Sequence, residues 1–268
     1  MRRRGKDLAS GFIVVPGIIR VGIIRVGIIR VGIILVVIIL FGTVMIGAAR
    51  AAAADAARES PTLTFFGETF PEGGRPEIDV ILDAGHGGID SGTLHGNLQE
   101  KQINLEIALL CYDILRNAGV RVALNRNDDR ALSDDNRWLK SRSRHRRDLA
   151  QRGQLANDLQ PKMLVSLHVN WSKDAGERGP IVLHQKNEQS RKLAQLVQQS
   201  LNAVYGTASQ PLLGKTYYLL NHVRCPAVIV EMGYISNADD RRRLTSPNEQ
   251  KEIAEAICSA IIHYLNAH

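Results

Sequence analysis

From residue 78 onward, short apolar runs rich in β-branched residues alternate with amphipathic stretches and glycine turns. Ile78 to Leu82 is too short for a helix and reads as a buried strand, and Gly85, Gly87 and Gly88 let the backbone turn sharply behind it. A helix is predicted from Leu98-Gln99-Glu100 to about Ala118. On a wheel of about 100° per residue, Ile103, Ile107, Leu110, Cys111, Ile114 and Ala118 share one face with Glu100 and Asn104, while Gln102, Glu106 and Asp113 point to solvent. Gly119 ends that helix, and Val120 to Leu124 alternates as a second strand, so strand, helix and strand imply a parallel pair. Arg137 to Arg152 is expected to be a helix with a solvated basic face, balanced by Asp128, Asp129, Asp134 and Asp135 upstream.

Met163 to Leu167 is a third buried strand, and Ile181 to Leu183 a fourth. Glu188 to Tyr205 is an amphipathic helix with Leu193, Leu196, Val197 and Leu201 inward. Tyr217 to Leu220 and Ala227 to Val230 read as two more strands. A final helix, Glu249 to Leu265, buries Ile253, Ile257, Ala260, Ile261 and Tyr264.

The first fifty residues follow another pattern. Gly17-Ile18-Ile19-Arg20-Val21 recurs from Gly22 and Gly27, then from Gly32 with Leu35 in place of arginine. Five residues overshoot one helical turn by about 140°, so Arg20, Arg25 and Arg30 form no stripe, and the repeat reads as a tandem duplication. Val31 to Ala49 contains no charge, and these 19 residues are long enough to cross a bilayer. The basic residues before it should stay in the cytoplasm and the rest of the chain should face outward. Ala52-Ala53-Ala54 offers a small-residue cleavage site, which would make the segment a signal peptide instead of an anchor; the length of the uncharged run favours the anchor. The expected organisation is a membrane or signal segment over 1–50, a linker over 51–77, and a folded domain over 78–268.

The chain has 268 residues, 44% hydrophobic and 23% charged, enough for one globular domain with a substantial core. Its formal charge of +7 suggests nucleic acid until it is divided along the chain. Eight Lys or Arg against Asp7 in residues 1–50 account for all of it, so the rest is formally neutral and a nucleic-acid partner loses its support. Cys111, Cys225 and Cys258 are odd in number and form no Cys-x-x-Cys pair, which suggests buried small hydrophobes over a disulfide framework or thiolate site.

The candidate chemistry lies where strands stop. His86 follows the first strand, His168 the third, and Glu231 the last, the positions at which open α/β sheets place their ligands. The glycine loop around His86 fits either a phosphate held by backbone N–H groups or one metal ligand, since the Rossmann and P-loop spacings are both absent. Glu100 opens an otherwise apolar face, where the helix N-terminus or a metal ion would offset its burial. Two strand-end histidines and that carboxylate make a two-histidine, one-carboxylate set. His95, His145, His184, His222 and His263 have no comparable context.

Four blocks, Leu82-Asp83-Ala84-Gly85-His86-Gly87-Gly88, Leu98-Gln99-Glu100-Lys101, Ser166-Leu167-His168-Val169-Asn170 and Val230-Glu231-Met232-Gly233-Tyr234-Ile235-Ser236-Asn237, resemble in order and spacing the zinc-dependent N-acetylmuramoyl-L-alanine amidases. The resemblance runs from about residue 78 to the C-terminus. It implies an α/β fold with an open, twisted, mostly parallel sheet of about six strands flanked by helices. It also implies zinc (Zn2+) held by His86, Glu100 and His168, with Glu231 as the catalytic carboxylate. Ala84 stands where proline is common and Tyr234 where phenylalanine is common, and neither touches the implied chemistry.

Ser141-Arg142-Ser143-Arg144 followed by Arg147-Asp148-Leu149-Ala150-Gln151-Arg152 is similar to the spore-cortex, germination-specific branch, which removes peptide stems on the way to muramic-lactam. The implied substrate is peptidoglycan, cut at the amide between the lactyl carboxyl of muramic acid and L-alanine. Asn104 is expected either to orient a ligand or to pack at the helix start, and Asn170 and Arg126 to contact substrate. Two rivals stand beside this reading: a zinc peptidase or deacetylase acting on another cell-wall amide, and a non-catalytic, membrane-tethered wall-binding module. The presence of Glu231 argues against the second.

Overall fold

The structure, a computed structural model, describes residues 77–267, so the expected membrane segment and residues 51–76 of the linker lie outside it. In chain order, β1 (Val80–Ala84) leads through the glycine turn to a small hairpin, β2 (Leu94–His95) and β3 (Leu98–Gln99), and on into α1 (Glu100–Asn117). β4 (Val122–Leu124), a 3-10 turn at Leu132–Asp134, α2 (Arg144–Leu159) and β5 (Met163–Asn170) follow. β6 (Ile181–His184), α3 (Glu188–Tyr205), β7 (Leu212–Leu213), α4 (Tyr218–His222), β8 (Ala227–Tyr234), α5 (Ala238–Thr245) and α6 (Pro247–Ala267) come after them.

Six strands make one sheet in the order β4-β1-β5-β8-β6-β7. Its neighbours run parallel except β6 and β8, so the sheet is mixed and mostly parallel, as expected. From β1 the chain crosses to β4 on one side and then returns to β5 on the other. The carboxyl ends of β1 and β5 therefore flank a topological switch point, where the loops part and leave a crevice. Alternation within the strands sends Val80, Leu82, Ala84, Val165, Leu167, Val228 and Val230 to one face. There they pack with Ile103 and Ile107 of α1, Leu193 and Val197 of α3, and Ile257 and Ile261 of α6. Cys111 and Cys258 are buried in this core, Cys225 is half-buried, and all three are free.

Several elements depart from the sequence expectation. Tyr217 to Leu220 is not a strand, because Tyr218–His222 is helical. Leu219 and Leu220 are adjacent and both buried, which a half-exposed strand cannot achieve, whereas a helix tucked against α2 and β8 can. The edge position belongs to β7, which at two residues carries no periodic signal. The basic helix starts later than Arg137, after Ser143, whose side chain accepts from Arg146 N at 3.2 Å, and it runs on to Leu159. In α1 the stripe rotates slightly: Leu115 is fully buried, Leu110 and Ile114 are half-buried, and Ala118 is exposed as the C-cap. α5 was unexpected; Asn237 begins it by accepting from the Asp239 and Asp240 amides at 3.0 and 3.1 Å.

Candidate metal centre

β5 and β8 run further than their apolar runs suggest, so His168 and Glu231 lie inside strands and not past their ends. They are register partners, and adjacent in-register residues project to the same face. His86 arrives from β1 in a left-handed conformation, φ 60°, uncommon for a residue with a Cβ. Gly85 before it has no room for one: a Cβ there would lie 2.4–2.7 Å from three atoms of the His168 ring. Gly92, at φ 65°, is similarly pressed, with Glu100 Oε2 at 2.5 Å and His86 Cδ2 at 2.7 Å from where its Cβ would be.

The hairpin of β2 and β3 delivers Glu100 as the first residue of α1. Both readings of that carboxylate meet here, since it sits at a helix N-terminus and between the two histidines. Its Oε1 lies 3.1 Å from His86 Nε2 and 2.9 Å from His168 Nδ1, and also accepts from the Val169 amide at 3.0 Å. Oε2 accepts from the Thr93 amide at 2.7 Å. Ligand atoms from His86, Glu100 and His168 all lie within 4.8 Å of one another, and no other such group occurs among the described residues. Two imidazole nitrogens and one carboxylate oxygen are a donor set that suits zinc and leaves a fourth position open. The residues therefore fit the metal that the sequence implies.

Asp90, which the sequence reading passed over, faces the other nitrogen of His86: Nδ1 and Asp90 Oδ2 are 2.8 Å apart. That contact orients the ring and turns Nε2 towards Glu100. Burial alone would lower the His86 pKa, but hydrogen bonds and charge from Asp90 and Glu100 outweigh it and raise it to about 9. The His86 hydrogen bond in turn holds the Asp90 carboxyl down at about 2. Glu231 goes the other way. Burial pushes its pKa up to about 6, Glu100's charge adds to the rise, and the two histidines only partly oppose it.

Asn104 is fully buried and donates to Gly85 O at 3.3 Å and Glu100 Oε1 at 3.4 Å, joining the ligand helix to the ligand loop. Asn170 lies at the end of β5, where its Oδ1 accepts from the Trp171 amide at 2.8 Å. Arg126, expected to contact substrate, is only 1% exposed, and its hydrogen bonds go to backbone carbonyls. Arg152, expected on a solvated face, is 3% exposed and bonds to Asp83 at 2.9 Å and Asp148 at 2.5 Å. Asp83 also accepts from Ser166 Oγ at 2.5 Å. Burial works against the Asp83 charge, yet Arg152 and Ser166 hold its pKa below the usual range. A signal for this network existed: Asp148, Arg152, Leu155, Ala156 and Leu159 share one helical face, visible once the helix is carried past Arg152.

The profile of the N-acetylmuramoyl-L-alanine amidase family (Amidase_3) matches residues 80–263. The germination-specific N-acetylmuramoyl-L-alanine amidase of Bacillus subtilis is 30% identical over 187 residues, covering 69% of this chain and 78% of that protein. Among solved structures, the CwlD amidase of Clostridioides difficile in complex with the GerS lipoprotein superposes with a TM-score of 0.67 at 30% identity, covering 72% of this chain and all of that one. The catalytic domain of CwlV, an amidase from Bacillus (Paenibacillus) polymyxa var. colistinus, gives 0.61 at 29% identity, with 71% and 99% covered.

Proposed function

Because the chain belongs to the N-acetylmuramoyl-L-alanine amidase family and is an amidase of peptidoglycan, we propose that it works as a zinc hydrolase through His86, Glu100, His168 and Glu231. The convergence of the three ligand side chains within 4.8 Å carries this reading. Bound there, zinc would supply Lewis-acid chemistry, lowering the pKa of a water and polarising the scissile carbonyl. In this reading Asp90 and Asn104 keep His86 and Glu100 oriented for the metal. Glu231 takes the proton of the attacking water and returns it to the departing L-alanine nitrogen. Its raised pKa of about 6 supports that role, since a base near neutrality can both accept and release a proton.

The biological setting we propose is spore cortex, where removal of the stem precedes muramic-lactam formation. Similarity to a germination-specific amidase supports it, as does the segment from Ser141 to Arg152. The CwlD structure contains a lipoprotein, which supports an accessory protein for this chain also. Export with a membrane tether rests on the uncharged run Val31 to Ala49 behind basic residues.

Zinc per chain and stem release, the latter by mass spectrometry of muropeptides, test the chemistry on one preparation. His86→Ala and His168→Ala should lose most of the metal, whereas Glu106→Ala, exposed on the outer face of α1, should keep it. Glu231→Gln should retain zinc and lose stem release. Full zinc in both histidine variants would refute the ligand assignment, and near-normal turnover in Glu231→Gln would remove that residue from the mechanism.

A further inference from the structure

His86 hangs from a loop with almost no side chains of its own, Ala84-Gly85-His86-Gly87-Gly88. Such a turn has little to pack, and this one is held by its carbonyl oxygens. Ala84 O accepts from Arg126 Nε at 3.0 Å, Arg152 Nη1 at 2.9 Å and Asn125 Nδ2 at 3.3 Å. Gly85 O accepts from Arg126 Nη2 at 2.9 Å as well as from Asn104. His86 O accepts from Arg152 Nη2 at 2.7 Å, and Gly88 O from Lys101 Nζ at 2.6 Å.

The two guanidiniums differ in how their charge is met. Arg152 sits between two carboxylates, Asp83 and Asp148. Arg126 bonds to none among the described residues: its remaining contacts are Asp128 O at 3.0 Å and Lys101 O at 2.8 Å. Burial and the Arg152 charge push its pKa down to about 10. Asp83, Asp129 and Asp148 offset its burial only through space, and an apolar side chain would fill the same space without the desolvation penalty.

We propose that Arg126 and Arg152 are positioning residues for the metal centre, an inference that rests on the zinc reading above. Their forks fix the carbonyls of residues 84–86, so that His86 keeps its left-handed backbone and its Nε2 stays beside Glu100. Lysine cannot replace Arg126 in full, because a single ammonium does not reach the carbonyls of Ala84, Gly85 and Lys101 together.

The test uses the full-length chain in detergent, with zinc affinity measured by competition with a chelating dye and metal-free stability by thermal unfolding. Arg126→Gln should stay folded and bind zinc about 10- to 100-fold more weakly, with Arg126→Lys between it and wild type. Stem release should fall in kcat with little change in KM. Leu201→Ala, in the core of α3, supplies the comparison: it should lower the unfolding temperature and leave zinc affinity unchanged. Wild-type affinity in a folded Arg126→Gln would overturn the proposal. Should that variant not fold, Arg126→Lys, which keeps the charge, decides by the same criterion. If wild type itself bound no more zinc than His168→Ala, the ligand assignment would fall and this proposal with it. Equal, tight binding by wild type and both arginine variants would sink the brace alone.

Discussion

Gly85 is where a side chain would run into a proposed ligand ring. Its backbone is not in the left-handed region, so the constraint is the His168 ring, 2.4–2.7 Å from where a Cβ would sit. Gly85→Ala should therefore push a ligand aside and weaken zinc binding by about 10- to 100-fold, measured by the same dye competition. Glu231 carries a different kind of strain. Its folded pKa of about 6 exceeds the ordinary 4.5, so its contribution to stability is fully present below about pH 4.5 and is lost as pH rises through 6. A shift of that size corresponds to about 2 kcal/mol at neutral pH. Metal-free Glu231→Gln should then resist urea better than wild type by about 2 kcal/mol at pH 7.5, and show no gain at pH 4. Stem release by the zinc-loaded variant should fall roughly 10²- to 10⁴-fold. His86, His168, Glu100 and Glu231 could be singled out from the sequence because each follows a short apolar run or opens an amphipathic helical pattern. Asp83 could not, because the arginine that stabilises it lies 69 positions away.

At the level of elements, periodicity was informative wherever one face is apolar and the other wet. α3 spans Glu188–Tyr205 as its pattern predicts, and α6 exceeds its predicted bounds by two residues at each end. Leu201 lies on the buried stripe of α3, fully enclosed, and Leu201→Ala should cost about 2–5 kcal/mol in urea denaturation. α2 misled because charged residues occupy part of its buried face. Reading Arg152 as solvated follows from composition, and its burial against Asp83 and Asp148 reverses that. Asn237→Ala should cost about 1 kcal/mol, since it removes the side chain that receives two amides at the start of α5.

At the largest scale, the core of the described residues and every proposed ligand lie between Val80 and Tyr264. A fragment of residues 77–268 should accordingly fold, bind zinc and release stems in solution; a fragment that aggregates or binds no metal would show that the segment before it is needed. For the intact chain, protease added to protoplasts should remove the domain, and survival of full-length protein would refute the outward orientation. Besides the proposed ligand set, which its resemblance to the amidases implies, the amino-acid sequence by itself determined the alternation of strands and helices and the first parallel pairing. Local side-chain pattern encodes these, because burial on a strand or helix repeats every two or about 3.6 residues. Tertiary structure decided the strand order, which makes neighbours of the strand that leads to His86 and the strand that carries His168, their rings 4.9 Å apart. It also decided the in-register pairing of His168 with Glu231 and the two buried arginines that hold the His86 loop. Those depend on residues far apart in the chain meeting across a sheet, and no periodicity records that meeting.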